Sequence, residues 1–407
     1  MRPVAAASIA VALALAVLRA QLSPAVVPLA TPAGAEGGMY SLATGADGRT
    51  YLVWIDPLAA GGHALRFSRL EGAGWSSPTT IAEGANWFVN WADHPSLTAA
   101  ADGRLYVHWL VNTGQKTGAY GYGIRVATST DAGKTWATAF EEGFDNVSDY
   151  AGFLNFFPRA GGMDAVYLTP LHPDTGGAAG HDEHVKTVGL VRFDAAGKET
   201  SRQIADADSC SCCSTDIANT ANGPVAVYRD HEAGEIRDIS IVRFVNGAWT
   251  TPAPVARDGW VINACPTNGP AIAAEGTRVA VAWFTAAKGS AQVKVAFSTD
   301  AGATFSAPIR IDDGTPVGWP DVLLLDDGRA FVSWLEKTAD GVGEVRVRAV
   351  SATAKGPATT VAQAASGRST GIPMMARAGG DAIVAWRQGT VKTARVALPA
   401  AANSRAR

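Results

Sequence analysis

The feature that most constrains this chain is a unit that returns seven times. Each copy has a short alternating run, a Gly-containing turn, a second apolar run ending in an aromatic, a loop and two further strands. The clearest copies read "SLATGADGRTYLVWID", "SLTAAADGRLYVHWLV", "AIAAEGTRVAVAWFT", "DVLLLDDGRAFVSWLE" and "PMMARAGGDAIVAWRQ". Two weaker ones are "FLNFFPRAGGMDAVYLTP" and "TDIANTANGPVAVYRD". Aligned on the aromatic they fall at Trp54, Trp109, Tyr167, Tyr228, Trp283, Trp334 and Trp386, separated by 55, 58, 61, 55, 51 and 52 residues. A unit of this length, holding about four strands, has the size of one blade of a β-propeller, an architecture that repeats radially and leaves only short, protected sheet edges. The 44 Gly, 21 Pro and 12 Trp suit short strands and tight turns rather than helices. The expected fold is therefore all-β, a β-propeller of seven four-stranded blades, with six as the alternative.

The last copy is short of a strand, because only "TVKTARVAL" and an Ala/Arg tail follow Trp386. "AVVPLA", residues 25–30, can supply the missing strand and close the ring if the leader is cut after Ala20 and not after Ala35. Residues 1–35 read as a signal peptide and Pro/Ala-rich leader, 36–399 as a single propeller domain and 400–407 as a disordered tail. The apolar run Val4 to Leu18 behind Arg2 is too short to span a bilayer and has the length of a secretory core. A secreted or periplasmic protein without a membrane span follows. A net charge of −3 with 17% charged residues offers no basic stripe, which argues against nucleic acid as a partner.

"STDAGKTW" (Ser129 to Trp136) and "STDAGATF" (Ser298 to Phe305) resemble the Asp-box, the S-x-D-x-G-x-T-W turn of sialidase-like propellers (the BNR repeat family), with degenerate versions ending at Trp75 and Trp249. The resemblance implies a structural turn between third and fourth strands, on the face away from the active site. Sialidases of this kind bind a carboxylate with three arginines and use a Tyr nucleophile and an acid/base Asp. The Phe/Tyr-Arg-Ile-Pro motif of that chemistry is not found here, and the expected count of seven blades departs from the six of its catalytic members. Arg229, Arg237 and Arg387 are the candidate arginines.

In a propeller the connection entering the innermost strand and the loop from second to third strand share one face. Cys210 and Cys265 each lie 18 residues before their blade's aromatic, and Cys213 and His94 each lie 15 before theirs. Three of the four cysteines sit in "CSCC" and the fourth in "NACPTNGP". His63, His172, His181, His184 and His231 map to second-to-third-strand loops of the same face, and His108 falls inside a strand. Asp93, Asp149, Asp208, Asp216, Asp230, Glu232 and Asp321 join them, with Trp87, Trp91, Tyr150, Trp260 and Trp319 as a possible stacking platform. Alternation along an extended segment places Cys210 and Cys212 on one side and Cys213 on the other. Soft sulfur with imidazole selects Cu(I) or Zn over Mg or Ca. The candidate metal ligands are Cys210, Cys212, Cys213, Cys265, His94 and His231, with Met39 able to cap. Export argues instead for disulfides, Cys210–Cys213 with Cys212–Cys265 or Cys210–Cys212 with Cys213–Cys265.

These readings lead to a secreted, monomeric propeller that binds a small-molecule or glycan ligand through a Cys/His/acid cluster, with a Cu or Zn site there or a disulfide-stiffened pocket. The alternative is an exo-acting glycoside hydrolase of sialidase type, with Asp93, Arg229, Asp230, Glu232 and Asp321 as catalytic candidates and Tyr150 as the mouth tyrosine. A scaffold that recruits proteins through its rim is the third reading.

Overall fold

The computed structural model describes residues 25–113, 121–144, 150–170 and 185–401. Seven antiparallel sheets follow one another around a ring. Their innermost strands are Gly38–Thr44, Ser96–Ala99, Gly152–Arg159, Asp216–Thr220, Ala271–Glu275, Pro316–Leu324 and Met374–Ala378. We number the blades 1 to 7 in that order. Each chain path runs outward, so every blade begins at the axis and ends at the rim. The seventh is completed from the other end of the described chain: Val26–Leu29 pairs antiparallel with Thr390–Ala397, Val26 opposite Val396 and Leu29 opposite Thr393. The ring is thus closed by backbone hydrogen bonds between its first and last strands. Among the described residues no helix is long and apolar enough to cross a membrane.

The core is a set of layers, one at every blade interface. Successive residues of a strand point to opposite faces, so each second strand serves two neighbours. In blade 4, Val225 and Val227 pack toward blade 5 against Ile272 and Val281, while Ala226 and Tyr228 pack toward blade 3 against Val166 and Leu168. The same division recurs around the ring and returns to blade 1, where Leu52 and Trp54 meet Ala385 and Val391 of blade 7. The aromatics that reveal the repeat in the sequence are the large residues of these layers, and Trp54, Tyr167, Tyr228, Trp283 and Trp334 are fully buried.

The two Asp-box-like turns lie between third and fourth strands, on the face opposite the blade entrances. Asp131 accepts the Thr135 amide and hydroxyl at 2.9 and 2.7 Å, and Gly133, at φ +88°, donates its amide to Ser129 Oγ. Asp300 holds Thr304 in the same way at 2.9 and 2.6 Å. These bonds hold the Asp300 carboxyl down at about 2, chiefly through the Thr304 hydroxyl.

At the opposite face, neighbouring inner strands are clamped by buried carboxylates. Asp216 accepts its own strand's Ile217 amide and the Ile272 amide of blade 5, both at 2.8 Å. Asp321 accepts Val322 and, across the interface, Met375 of blade 7. Asp93 accepts the Phe153 amide of blade 3 and the Tyr122 hydroxyl. Burial pushes these carboxyls up from 3.8, to about 7 for Asp93 and Asp216 and about 6 for Asp321. A raised folded-state pKa contributes stability that is complete below the unfolded value and is lost as pH rises through the folded one. Asp216→Asn keeps one amide bond, sets its own NH2 against the other, and is expected to lower stability by about 1–3 kcal/mol. The gap should narrow between about pH 5 and about pH 7.5 in urea melts, because the loss that Asp93 and Asp321 bring is common to both proteins and only the parent also loses the Asp216 contribution. A gap that widens with pH would contradict this account.

Candidate functional site

The sulfur site is built from two connections that enter neighbouring blades. The outer strand of blade 3, Glu199–Cys210, ends on the first cysteine, and the chain turns through Ser211 and Cys212 before entering blade 4 at Asp216. The turn decides the geometry. Cys210 Sγ lies 3.5 Å from Cys213 Sγ and 3.9 Å from Cys212 Sγ, and all three sulfurs are within 4.8 Å of one another. The expectation that Cys213 points away is therefore corrected: strand alternation stops at Cys210, and the turn folds Cys213 back. Tyr150 fixes this turn by donating to the Ser211 carbonyl at 2.6 Å, and Thr215 Oγ1 donates to Phe153 O at 2.8 Å.

Cys265, on the connection from blade 4 to blade 5, reaches the same place. Its sulfur is 4.0 Å from Ser211 Oγ, the residue between Cys210 and Cys212. The two connections are wedged together at Gly269, where a Cβ would stand 2.1 Å from the Ser214 carbonyl oxygen, so only glycine fits. None of the four cysteines forms a disulfide. Cys210 and Cys213 are buried, Cys212 is half-buried and Cys265 is exposed.

Two buried guanidiniums stand beside the sulfurs. Arg229 is 1% exposed, and all three of its nitrogens donate to backbone carbonyls: Nε and Nη2 to Asn268, Nη2 also to Phe284, and Nη1 to Arg237, at 2.5–3.0 Å. Its guanidinium lies 4.8 Å over the Trp260 ring. Arg237, fully buried, donates to Glu235 at 2.7 Å and interacts with the Cys210 sulfur. Among the three clustered thiols the first proton is lost at Cys210. Hydrogen bonds from Cys212 and then Cys213 hold its pKa well below the usual thiol value, with the Arg229 charge adding to the effect. Its partners move the other way: Cys212 is pushed up by its bond to Cys210 first, and Cys213 chiefly by burial.

The other candidates are used differently. Among the described residues only Cys210, Cys212 and Cys213 bring three donor atoms of this kind within reach of one ion. His231 is held by Asp208 at 2.6 Å and Glu235 at 3.4 Å, on the solvent side of Arg237. His94 lines the central cavity and shares a side cleft with Met39 and Arg387, away from the sulfurs, and burial lowers it to about 4. His94, His231 and Met39 are not in the sulfur cluster found among the described residues; for His94, the offset it shares with Cys213 fixes height above the ring, not position around it. His108 is buried and bonded to Ser96, and His63 opens a third strand. His172, His181, His184 and Asp149 lie outside the described residues.

The carboxylates proposed for catalysis have structural partners. Asp93 and Asp321 clamp blades, as does Asp216. Asp230 accepts Ser240 Oγ at 2.5 Å and is raised to about 6, mainly by burial. Glu232 pairs with Arg257 at 3.4 Å. The mouth aromatics are largely packing: Trp87, Trp260 and Trp319 are buried, and Trp91 meets Trp319 edge-on at 5.3 Å. Asn268 was not singled out by the sequence. Besides its carbonyl, which takes two Arg229 bonds, its side chain accepts the Trp319 amide and donates to Val317 O, tying blade 5 to blade 6. Its only signal was the turn-like "TNGP".

Inward from the blade entrances the seven inner strands enclose a central cavity of about 420 Å³, lined at the sulfur side by Ser214, Thr215 and Asp216.

No protein-family model and no curated protein matches this chain. Among solved structures, a protein of unknown function from Dyadobacter fermentans superposes with a TM-score of 0.51 at 16% identity, covering 93% of this chain and 98% of that one. A Hadza microbial sialidase gives 0.44 at 12% identity over 74% of this chain and 63% of its own. The α-L-arabinanase of Penicillium chrysogenum, complexed with arabinobiose, gives 0.43 at 12% identity over 92% and 97%. At these identities the likeness is one of fold.

Replacing Arg229 by Met strands three buried carbonyls, each costing about 1–3 kcal/mol. We expect a loss of stability of at least that size in urea melts, against no measurable change for Arg257→Met at the exposed ion pair. Equal stability of the two variants would mean that Arg229 is not the brace described above.

Proposed function

We propose that this chain is an exported β-propeller that holds one soft metal ion, Cu(I) or Zn(II), between Cys210, Cys212 and Cys213 at the blade entrances. One observation carries the reading: three sulfurs from a four-residue stretch lie within 4.8 Å of one another. A metal–sulfur bond of about 2.3 Å sets ligand sulfurs about 3.8 Å apart in a tetrahedral site and about 4.0 Å apart in a trigonal one. The 3.5 and 3.9 Å separations, with the third pair within 4.8 Å, lie close to these values.

Electrostatics supports the same reading. Thiolates, not thiols, bind metal, and burying three negative charges without compensation is costly. Arg229 offers its buried charge to no carboxylate among its hydrogen bonds, and both Cys210 and Cys213 feel it. Sulfur ligands select soft or borderline ions over Mg or Ca.

The glycosidase reading has less to stand on, because Asp93 and Asp321 are committed to backbone amides and Arg229 to backbone carbonyls.

The test is a titration of reduced protein with Cu(I) and with Zn(II) against a chromogenic chelator. One ion per chain is expected, with Cys213→Ser weakening affinity by about 10- to 100-fold or more. Absence of competition with the chelator for both ions, or fully oxidised cysteines in protein recovered from the export compartment, would overturn the proposal.

A further inference from the structure

The four sulfurs form a graded path from solvent to interior. Cys265 is exposed, Cys212 half-buried, and Cys210 and Cys213 are 1% and 2% exposed. Geometry follows the same order: the Cys265 sulfur lies 4.0 Å from Ser211 Oγ at the turn that carries Cys212, Cys212 is 3.9 Å from Cys210, and Cys210 is 3.5 Å from Cys213. A closed structural site fills all four positions with protein ligands held together, whereas Cys265 is not within the cluster that the other three sulfurs form. Here the fourth sulfur stands outside on a separate connection, and its neighbours there include the exposed Val261, at 64% exposure, four positions earlier.

Resting on the metal-site reading above, we infer that Cys265 is the entry ligand. It captures Cu(I) at the surface and hands it through Cys212 to the buried Cys210 and Cys213, by exchange of one thiolate for the next. No electron is transferred, and copper stays Cu(I) throughout. As the Cys265 sulfur donates a lone pair to the ion, its proton leaves to water and one bond from the delivering ligand to copper breaks. Cys212 then bonds as its proton leaves to water, and the remaining donor bond breaks. Bonds to Cys210 and Cys213 form as their protons are lost, the bond to Cys265 breaks, and the Cys265 thiolate takes a proton back from water. Release runs the same steps in reverse.

Two features make this path usable. Thiolate exchange requires the incoming sulfur near the outgoing one; the inner three are clustered, and Cys265 stands against Ser211 of the same turn. The two connections are also locked in place independently of Cys265, by Gly269 against Ser214 and by Arg229 against Asn268 and Arg237. Substituting the exposed sulfur therefore leaves the buried trio where it is.

The experiment measures Cu(I) transfer from a chromogenic Cu(I) chelate by stopped flow, with equilibrium affinity measured on the same samples, for the parent, Cys265→Ser, Cys265→Ala and Cys213→Ser. The parent and both Cys265 variants should reach the same equilibrium affinity. Uptake and release in the Cys265 variants should both slow by about tenfold, while Cys213→Ser loses affinity by about 10- to 100-fold. Cys265 variants that exchange copper at the parent rate would overturn the relay and leave the metal site standing. Cys265 variants that lose affinity as Cys213→Ser does would make it an ordinary fourth ligand, again overturning the relay alone. A parent that takes no copper from the chelate overturns the site itself.

Discussion

Closure of the ring is the constraint on which everything else in this molecule rests. A single blade exposes two apolar faces and cannot hide either by itself. Only when the seven sheets close into a ring does every face, including that between blade 7 and blade 1, acquire a partner, and Val26–Leu29 ties that ring shut by completing the sheet of Thr390–Ala397. The outward path of each blade then follows, and with it the rule that connections between blades and second-to-third-strand loops lie on one side. Cysteines on successive connections meet because of that rule.

The sulfur site depends on a second layer of constraint, a buried cation used as a mechanical brace. Arg229 draws the carbonyls of Arg237, Asn268 and Phe284 to one point, which joins a loop of blade 4 to the entrance and second strand of blade 5. A guanidinium can do this because its donors fan out in one plane and stay charged at any physiological pH. The same charge lies next to the cysteines and favours their ionised form. One residue therefore shapes the site and sets its polarity, and Asn268 carries the brace onward to blade 6 through Val317 and Trp319.

Local chemistry at the mouth was only partly legible. Reading each position by its offset from the blade aromatic placed Cys210 and Cys265 at equivalent heights in adjacent blades, and both do reach the Ser211–Cys212 turn. The same offset put His94 beside Cys213, yet the two belong to blades 2 and 4 and their side chains serve different spaces. Aromatics that suggested a stacking platform mostly pack inward, Trp260 beneath the Arg229 guanidinium and Trp319 against Trp91. Acidic residues that suggested catalysis are largely clamps between blades, because a buried amide at each entrance needs an acceptor and Asp supplies one. Residue type alone does not separate a carboxylate that meets substrate from one that meets a backbone N–H.

By itself the sequence determined the architecture: a period near 55 residues, alternating strands and recurrent aromatics define propeller blades, seven by the aromatic count with six as the alternative, and the structure has seven. It also pointed to residues 25–30 as a segment able to supply the missing strand of the last blade, and Val26–Leu29 does pair there. Only the tertiary structure decided which side chains share a pocket. That depends on the turn after Cys210, on the close approach of Gly269 to Ser214 and on the carbonyls gathered by Arg229. These are contacts between segments on different blades, whose geometry is set by packing around the ring and leaves no periodic trace along the chain.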